Sequence, residues 1–404
     1  MRVLVASSEF PPGPGGLGTH AFELCRHLAR RGHSVHAAVV QDYASDGEIA
    51  GWTAAQRAPD RFEVVRLARR SRWVDPWSRA AALRRLRRRI RPDLWIGTGE
   101  RMLWLSQLVA GTTPWIGVLH GSEVGQASGW RVRLTRRALR SAARVVCVSE
   151  HTATLARRAG VTDRRRADAL EIVPNGADAE RFAPPSEEAE WELRQRLALG
   201  EGPLLVTVGH LSPRKAQDLV IRALPRLVAR WPTLRYVAIG LPSGRPSLEA
   251  LARELDVADH VVLPGALPGP DVATAMGTAD LFVLASRATD DGDVEGYGIV
   301  VIEAALCGTP AVVSGGSGLA EAVVDGQTGR VVPPEDPAAL GGAIEELLAD
   351  RARRDELAAA ARHRATTEAT WAHRVGRYEA ICLDVVARAS AGEAASDVAR
   401  PEAT

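Results

Sequence analysis

Lysine is almost absent from this sequence. Of its 51 basic residues, fifty are arginines and Lys215 is the single lysine. A lysine ammonium is a compact point charge that the planar arginine guanidinium does not always replace. We therefore expect a specific role for Lys215, with chance retention of one lysine as the alternative.

Cysteines and long apolar segments are also scarce. The four cysteines, Cys25, Cys147, Cys307 and Cys382, are far apart and form no C-x-x-C pair, which argues against a zinc site or a disulfide framework and favours a reducing cytosol. No apolar run approaches the ~20 residues of a transmembrane helix, and residues 1–6 are typical of a β-strand rather than a signal peptide. We expect a protein that is neither secreted nor membrane-spanning, with thiols that serve in packing.

The composition is that of an ordinary globular protein. Its 404 residues are 46% hydrophobic and 25% charged, which excludes disordered and fibrous folds and is enough for two domains. The net charge is +2, yet residues 1–180 carry 29 basic and 17 acidic side chains whereas residues 181–404 carry 22 and 32. This division indicates two domains, the first suited to an anionic surface or substrate.

Short β-branched runs alternate with amphipathic segments along the first half of the chain. The alternation predicts right-handed βαβ units around a parallel sheet that is covered on both faces. The predicted strands are Val3–Ala6, Val35–Val40, Glu63–Val65, Leu94–Ile96, Trp115–Leu119 and Val145–Val148. The predicted helices lie at about 19–31, 78–90, 132–141 and 149–159.

The pattern stops near Pro174 and begins again after Pro184 and Pro185. The second set of predicted strands is Leu204–Val208, Tyr236–Ile239, Val261–Leu263, Leu281–Leu284 and Ala311–Val313, with helices at about 217–229, 247–255, 270–276 and 299–307. We therefore predict an α/β fold of two tandem Rossmann-like, doubly wound domains, 1–183 and 184–370, and a disordered tail at 389–404. Ligands of such sheets bind beyond the carboxyl ends of the strands, so we expect a deep cleft between the domains.

A glycine-rich loop follows the first predicted strand. The segment Gly13–Gly18 matches G-x-G-x-x-G, and Asp42 follows at about the distance of a ribose contact. In a dinucleotide site the first glycine follows the strand almost at once, whereas here Ser7–Pro12 intervenes. We expect instead a loop whose amides, with the N-terminus of the next helix, approach a phosphate or sugar. A simple connection is the alternative.

Two glutamates, Glu295 and Glu303, flank a glycine-led apolar segment. This segment is expected to begin a helix, and the amides of Gly298, Ile299 and Val300 in its first turn are then unpaired donors suited to a phosphate. Glu303, one turn into the helix, is placed to accept from ribose hydroxyls, and Glu295 from hydroxyls of a sugar beyond the phosphates. Solvation of both glutamates is the alternative.

Lys215 lies between a predicted strand that ends at Val208 and a predicted helix that begins at Gln217. That position faces a phosphate at the end of the strand. A cation there neutralises a diphosphate leaving group, whose charge grows in the transition state.

Together these segments resemble the retaining glycosyltransferases of family 4, which have the two-domain GT-B fold, over about residues 1–385. The matching segments are Glu9–Pro12 with Gly15 and Gly16, His120–Glu123, Val148–Glu150, Pro174–Asp178, Gly209–Gln217 and Glu295–Pro310. Asp293–Val300 and the pair of His120 with Glu123 are most similar to bacterial phosphatidylinositol mannosyltransferases.

The resemblance implies a role for each matching residue. Donor contacts through the backbone are implied for Gly15, Gly16, Ala266, Leu267, Gly298, Ile299 and Val300. Side-chain contacts are implied for His120 with the transferred sugar, Lys215 with the diphosphate, Glu295 with sugar hydroxyls and Glu303 with the ribose. From its position beside this loop we also expect His210 to contact the donor. The expected catalytic residues are His120, Lys215 and Glu295. The helix from Trp371 to about residue 388 is expected to cross back onto the first domain.

His210 departs from the family pattern, which usually has arginine at this position. An imidazole is shorter and often neutral. Three explanations remain open: His210 protonates beside the diphosphate, arginines of the first domain help, or the donor is unusual.

A short acidic run, 290–293, is similar to the D-x-D metal signature of a different glycosyltransferase architecture. No further ligands lie nearby in the sequence, and Lys215 and the helix amides already provide positive charge. We expect a solvated loop, no metal and no other cofactor.

Residues 66–91 hold eleven arginines and one acid, Asp75. Apolar residues, among them Trp73, Trp77 and Leu83, are interleaved, which predicts a basic amphipathic helix suited to anionic lipid or an anionic acceptor. A solvated helix face is an equal alternative. Nucleic acid is electrostatically possible but is not an expected partner.

The expected function is that of a retaining transferase, which moves a hexose from a nucleoside-diphosphate sugar to an acceptor hydroxyl. The resemblance implies front-face attack without metal, and GDP-mannose or a UDP-sugar as donor. Alternatives are a nucleotide-sugar epimerase of the same fold and a non-catalytic nucleotide-sugar-binding protein. We expect a cytoplasmic location, and leave open peripheral attachment to the inner membrane face and an anionic or membrane-associated acceptor.

Overall fold

The chain divides into two α/β units in a computed structural model, which describes residues 1–13, 15–55, 62–67, 75–125, 129–162, 168–290 and 292–398. Unit 1 comprises Met1–Pro174 and Trp371–Thr404, and unit 2 comprises Asn175–Thr370. The chain thus enters unit 2 nine residues before the expected boundary at 183/184. The reason is that Ala177 already belongs to unit 2, where its N–H donates to the carbonyl of Ala369 at 2.9 Å.

Unit 1 is built on a seven-stranded parallel sheet in the order β3-β2-β1-β4-β5-β6-β7. The strands are β1 (Arg2–Ser7), β2 (Ser34–Val39), β3 (Glu63–Arg66), β4 (Leu94–Thr98), β5 (Trp115–Leu119), β6 (Arg144–Cys147) and β7 (Leu170–Ile172). The chain first runs from β1 to β2 and β3, then returns to β4 on the other side of β1. The direction of winding therefore reverses between β1 and β4, which is where ligands of such sheets bind.

Among the described residues, these strands are connected by the helices α1 (Gly16–Arg30), α2 (Asp46–Ala55), α3 (Asp75–Ile90), α4 (Glu100–Val109), α5 (Trp130–Arg140) and α6 (Glu150–Arg158). Every residue of β4 and β5 is buried, because helices cover both faces of the sheet. One apolar core joins the sheet to helices α3 to α6, and its largest members include Trp95, Leu103, Trp115 and Leu139.

Unit 2 repeats the arrangement with a six-stranded parallel sheet in the order β10-β9-β8-β11-β12-β13. Its strands are β8 (Leu204–Val208), β9 (Arg235–Ile239), β10 (Val261–Gly265), β11 (Leu281–Leu284), β12 (Ala311–Ser314) and β13 (Gly329–Val332). Its helices are α7 (Glu187–Arg196), α8 (Gln217–Arg230), α9 (Arg245–Glu254), α10 (Gly269–Thr278), α11 (Ile299–Leu306), α12 (Pro337–Ala349) and α13 (Arg351–Glu368). Winding reverses between β8 and β11.

The last helix, α14 (Trp371–Val398), belongs to unit 1 and packs on α1. Trp371 and Tyr378 are fully buried, and Glu379 accepts from Arg31 at 2.6 Å and lies 2.7 Å from the ring of His33. We expected a disordered tail from residue 389, but α14 continues to Val398 because this stretch is rich in alanine, the best helix former. Residues 399–404 lie outside the described residues.

The predicted fold class, two Rossmann-like α/β units with parallel sheets, is confirmed. All four cysteines are buried, in the packing positions expected for them. None of the helices in the described part of the chain combines the length and the apolar character needed to span a bilayer.

Candidate active site

The predicted donor residues of unit 2 lie in loops at the carboxyl edge of its sheet. His210 and Lys215 follow β8, Ala266 and Leu267 follow β10, and Glu295 lies in the loop after β11. Since the strands are parallel, their carboxyl ends share one edge, so residues far apart in sequence meet there. The loops after β8 and β11 flank the point where winding reverses.

Lys215 and Glu295 form an ion pair that joins these two loops. The Nζ of Lys215 donates to Oε2 of Glu295 at 2.6 Å, and Nη1 of Arg214 donates to the same oxygen at 2.6 Å. Nε of Arg214 also lies 2.9 Å from Oδ2 of Asp293. Two cations thus share one carboxylate oxygen at the expected ligand position.

This ion-pair cluster keeps Glu295 ionised. Its side chain is 12% exposed and that of Lys215 is 10% exposed. Burial alone would raise the pKa of Glu295, but the charges and hydrogen bonds of Lys215 and Arg214 outweigh burial and hold that pKa below its usual value. The cluster is a preformed, partly desolvated arrangement of two positive charges and one negative charge.

The N-terminus of α11 lies beside this cluster in sequence and begins at a glycine. Gly298 has φ 82° and ψ 61°, and a Cβ on it would lie 2.5 Å from Cδ1 of Leu319. The position therefore requires glycine, both for its left-handed backbone and for space. The helix offers the first-turn amides of Ile299 and Val300, and Glu303 lies half-buried one turn further on.

His210 and Ala216 show how the Lys215 loop is held. Nε2 of His210 lies 2.8 Å from Oγ of Ser243, in the loop after β9, and the ring is exposed. The side-chain amide of Gln217 donates to the carbonyl of His210 at 3.1 Å. Ala216 has φ 52° and ψ 42°, a left-handed conformation that turns the chain directly from Lys215 into α8. A contact of His210 with the donor stays a prediction.

In unit 1 the glycine loop leads straight into α1, which begins at Gly16, three residues before the predicted start. Gly15 has φ 133°, and a Cβ on it would lie 2.7 Å from Oε2 of Glu9. Glycine is thus required where the loop passes that carboxylate, whose pKa burial raises. Pro14 lies outside the described residues. The exposed Gly15 and the first-turn amides of α1 are at the carboxyl end of β1, as a phosphate contact requires.

His120 follows β5 and is held by residues of two other elements, β4 and α1. Its Nε2 lies 2.8 Å from Oγ1 of Thr98, the last residue of β4. Its ring stands edge-on to that of His20 at 4.9 Å, and His20 in turn contacts the rings of Trp371 and Tyr378 at 5.5 Å. Burial, with a smaller contribution from His20, lowers the pKa of His120 well below its usual value, so the imidazole is neutral.

Glu123 supports the His120 loop through the backbone. Its Oε2 accepts from the N–H of His120 at 2.9 Å and from that of Gly121 at 3.0 Å. The residue is 4% exposed, and burial raises its pKa to about 7 despite these hydrogen bonds. The resemblance paired His120 with Glu123, and the structure joins them through main-chain amides rather than through the ring.

Sequence reasoning missed Thr98 and the role of Arg214. Arg214 was one of fifty arginines, and only its place next to Lys215 could have singled it out. Thr98 ends a buried strand and carries no pattern of its own. Among the described residues, which omit Asp291 of the acidic run, no group of three or more His, Cys, Asp or Glu side chains is placed to hold a metal ion.

The predicted basic helix is observed as α3, while its N-terminal part, including Trp73, lies outside the described residues. Arg84, Arg85 and Arg88 are exposed. Arg87 is half-buried and donates to the carbonyl of Ala110 at 3.0 Å, which ties α3 to the end of α4. Only part of the arginine cluster is therefore a solvated face.

Comparisons with known proteins agree with this architecture. The family model described as "Glycosyltransferase Family 4" matches residues 14–181, and "Glycosyl transferases group 1" matches residues 189–364. The GDP-mannose-dependent alpha-(1-6)-phosphatidylinositol monomannoside mannosyltransferase of Mycolicibacterium smegmatis is 32% identical over 93% of this chain and 96% of its own length.

Two solved structures show the same fold at lower identity. Sucrose-phosphate synthase from Thermosynechococcus elongatus has a TM-score of 0.79 and 21% identity, and covers 96% of this chain and 99% of its own. HepE from Anabaena, in complex with UDP and glucose, has a TM-score of 0.78 and 20% identity, and covers 95% of this chain and 100% of its own.

The two parallel-sheet units, with candidate ligand residues at their strand ends, define a glycosyltransferase of the GT-B fold. The chain belongs to glycosyltransferase family 4, and its full-length relatives include mannosyltransferases. The resemblance noted in the sequence is confirmed.

Proposed function

We propose that this protein transfers a mannosyl residue from GDP-mannose to a hydroxyl of a phosphatidylinositol-based glycolipid, with retention of configuration and without a metal ion. Donor and acceptor are inferred from the mycolicibacterial relative, which is similar over nearly the whole of both chains. The protein acts from the cytoplasmic side as a peripheral membrane enzyme. Exposed arginines of α3, which include Arg84, Arg85 and Arg88, favour an anionic acceptor surface.

The observation that carries the proposal is the carboxylate oxygen of Glu295 shared by Lys215 and Arg214. A nucleoside diphosphate brings negative charge that competes with Glu295 for these two cations. When the cations turn to the diphosphate, the carboxylate is left buried and needs new hydrogen-bond donors, which hydroxyls of the transferred sugar supply. Diphosphate and sugar recognition are coupled through one side chain.

The other proposed donor contacts in unit 2 involve residues near the same edge of its sheet. The first-turn amides of α11 meet the phosphate and sugar, and Glu303 accepts from the ribose hydroxyls. Backbone groups of Ala266 and Leu267 read the base, and His210 adds a contact near the diphosphate. Gly15 and Gly16 of unit 1 approach the phosphate through their backbone.

In the reaction, the bond between the anomeric carbon and the diphosphate oxygen breaks, and the acceptor oxygen bonds to the same face of the sugar. The acceptor's proton passes to the departing phosphate oxygen, so that no protein nucleophile is needed. Lys215 and Arg214 stabilise the charge that builds on the leaving group. Neutral His120, held by Thr98, hydrogen-bonds a hydroxyl of the transferred sugar.

Product analysis tests the proposal directly. The purified protein is incubated with GDP-mannose or UDP-glucose, a phosphatidylinositol mannoside acceptor and either EDTA or magnesium, and products are identified by mass spectrometry and NMR. We expect an α-linked mannosyl product from GDP-mannose that forms equally well in EDTA. Transfer only from the UDP-sugar, a β-linked product or a requirement for metal would contradict the donor, the stereochemistry or the metal independence, respectively.

A variant pair tests the ribose contact separately. Glu303→Ala is expected to weaken GDP binding by roughly 1.5–3 kcal/mol, the contribution of a charged hydrogen-bond partner. Glu188→Ala, at an exposed glutamate of α7 in the same unit, is the matched control and should leave affinity unchanged. Isothermal titration calorimetry measures both, and equal affinities for the two variants would remove Glu303 from the donor site.

A further inference from the structure

Arg287 lies in the loop after β11, at the carboxyl edge of the unit 2 sheet, and its backbone is held on two sides. The carbonyl of the preceding residue, the buried Ser286, accepts from Oγ of Ser314 at the end of β12, at 2.5 Å. The N–H of Arg287 donates to the carbonyl of Arg214 at 2.8 Å. A main-chain hydrogen bond therefore joins the loop after β11 to the Lys215 loop, directly beside the two cations of the candidate site.

The side chain of Arg287 reaches acidic residues on two neighbouring elements. Its Nη2 donates to Oδ2 of Asp218, in the first turn of α8, at 2.9 Å. Its Nε lies 2.6 Å from Oε1 of Glu335, in the loop after β13, in an ion pair without an aligned hydrogen bond. The side chains of Arg287 and Asp218 are only 20% and 28% exposed, so water screens their charges in part. One guanidinium serves both acids because its planar fork presents donors in several directions.

The contacts of Arg287 enclose the turn that carries Lys215. Arg214 precedes Lys215 directly, and Asp218 follows it by three residues. Between them the chain passes through Ala216, whose φ of 52° and ψ of 42° are left-handed and unfavourable for alanine. Such a conformation persists where surrounding contacts hold it. Since Arg287 supplies a contact at each end of the turn, it restricts where the ammonium of Lys215 can lie.

Glu295 also ties the Lys215 loop to the loop after β11, but this tie differs in kind from that of Arg287. Under the proposed function, on which this inference rests, Lys215 and Arg214 exchange the carboxylate of Glu295 for the diphosphate of the donor. The contacts of Arg287 involve the carbonyl of Arg214 and the side chain of Asp218, and that exchange uses neither group. These contacts therefore remain while the donor is bound and while charge builds on the leaving group.

We propose that Arg287 is a positioning residue for Lys215: it keeps the Lys215 turn against the loop after β11 once the ion pairs with Glu295 have given way to the diphosphate. Arg287 acts through Lys215 and does not itself contact the donor. Its loss should therefore weaken the binding of a nucleoside diphosphate, and this effect should depend on the presence of Lys215. An arginine that only stabilises the fold of unit 2 would show no such dependence.

Calorimetric titration of the full-length protein with GDP tests this role without an acceptor. We expect Arg287→Ala to weaken GDP binding about tenfold, the effect of losing one charge-assisted hydrogen bond. The matched control is Arg330→Ala, because Arg330 on β13 is 31% exposed and also has two acidic partners, Glu346 at 2.6 Å and Asp325 at 3.5 Å. Unchanged GDP affinity in Arg287→Ala, or an equal loss in Arg330→Ala, overturns the proposal.

The conservative variant Arg287→Lys separates the geometry of the side chain from its charge. A lysine keeps the positive charge, but its single ammonium lacks the planar fork that reaches both acids. We expect Arg287→Lys to bind GDP about threefold more weakly than the wild type, between the wild type and Arg287→Ala. Full affinity in Arg287→Lys would mean that Arg287 acts only as a nearby charge, and would overturn the positioning role.

A double-mutant cycle gives a readout that a merely structural role of Arg287 does not move. In a Lys215→Ala background, Arg287→Ala should weaken GDP binding by no more than about threefold, because the group that it positions is absent. The same tenfold loss in both backgrounds overturns the proposal.

The titrations also separate this inference from the proposed function. A wild type that binds neither GDP nor UDP would refute the donor site and the role of Arg287 with it. Nucleotide binding that Arg287→Ala leaves unchanged would overturn the role of Arg287 alone. If denaturant unfolding then shows a loss of stability in that variant, Arg287 belongs to the fold of unit 2 and not to donor binding.

Discussion

Replacing Glu295 by glutamine removes the carboxylate that Lys215 and Arg214 share but keeps the size of the side chain. In the wild type, an incoming diphosphate must draw both cations away from a partner 2.6 Å distant. In the variant, Lys215 and Arg214 lose this charged partner, and Arg214 keeps only its contact with Asp293. We therefore expect Glu295→Gln to bind GDP more tightly and to turn over more slowly, two changes of opposite sign.

The magnitudes follow from the two charge-assisted hydrogen bonds, each of which contributes about 1.5–3 kcal/mol. The two bonds share one oxygen, and the new amide still accepts from one cation, so we expect a net gain for GDP of about 1.4 kcal/mol, which is tenfold in Kd. Turnover should fall by roughly 10²–10³, as for loss of one preorganised polar group in a transition state.

Calorimetry with GDP and steady-state kinetics with GDP-mannose measure the two effects. Because the pKa of Glu295 is held below its usual value, the carboxylate is ionised throughout neutral pH, and the difference should be constant between about pH 6 and 8. Asp293→Asn is the matched control, since Asp293 contacts Arg214 but not Lys215 and is 44% exposed. Weaker GDP binding by Glu295→Gln, or unchanged turnover, would refute the coupling of diphosphate and sugar recognition.

For three further substitutions, the structure determines the direction in which stability or turnover should change. Burial raises the pKa of Glu123 to about 7, so this carboxyl group holds its proton more tightly in the folded protein than in the unfolded chain. The free energy of unfolding of the wild type should therefore fall by about 3 kcal/mol as the pH rises from about 4.5 to above 7. Glu123→Gln should remove that slope from unfolding free energies measured against pH, and a retained slope would contradict the assignment. Ala216→Gly should raise the free energy of unfolding by about 1 kcal/mol in denaturant titrations, because a φ of 52° costs alanine more than glycine. The control is Ala198→Gly, also at φ 52°, which should raise the free energy of unfolding by as much without any change in activity. Thr98→Val should lower turnover by up to about tenfold without changing GDP affinity, because it removes the hydrogen-bond partner of His120, whereas the proposed contacts with the diphosphate are made mainly by Lys215 and Arg214. A change confined to GDP affinity would count against that role.

The central strands could be predicted from the sequence. Trp115–Leu119, Leu204–Val208 and Leu281–Leu284 have the bounds predicted for them, because strands buried on both faces of a parallel sheet are continuous apolar runs. The missed strands β7 and β13 are short edge strands of three and four residues that are largely half-buried, so their apolar pattern is weak. Helix α7 was not predicted from the sequence, because only Leu193 is buried along it and its apolar pattern is weak.

The residue types of the site were also set by the sequence. One lysine among fifty arginines and two glutamates flanking a glycine-led helix indicated a phosphate and sugar site before any contact was known. Gly15 and Gly298 were predicted to contact a phosphate through the backbone, and this contact stays a prediction. The structure shows a separate requirement for glycine at both positions, because a Cβ would meet a neighbouring side chain at under 3 Å. Local chemistry of this kind depends on residue identity and short spacing, which the sequence contains.

Which side chains meet was decided by the tertiary structure alone. Arg214 and Lys215 reach Glu295 across 80 residues of chain because β8 and β11 are neighbours in the sheet, although two other strands lie between them in sequence. Likewise, Glu123 supports His120 through main-chain amides, and Trp371 joins the His20 cluster from the far end of the chain. Strand order and the burial that shifts each pKa are properties of the whole packed sheet, so no local pattern of residues specifies them.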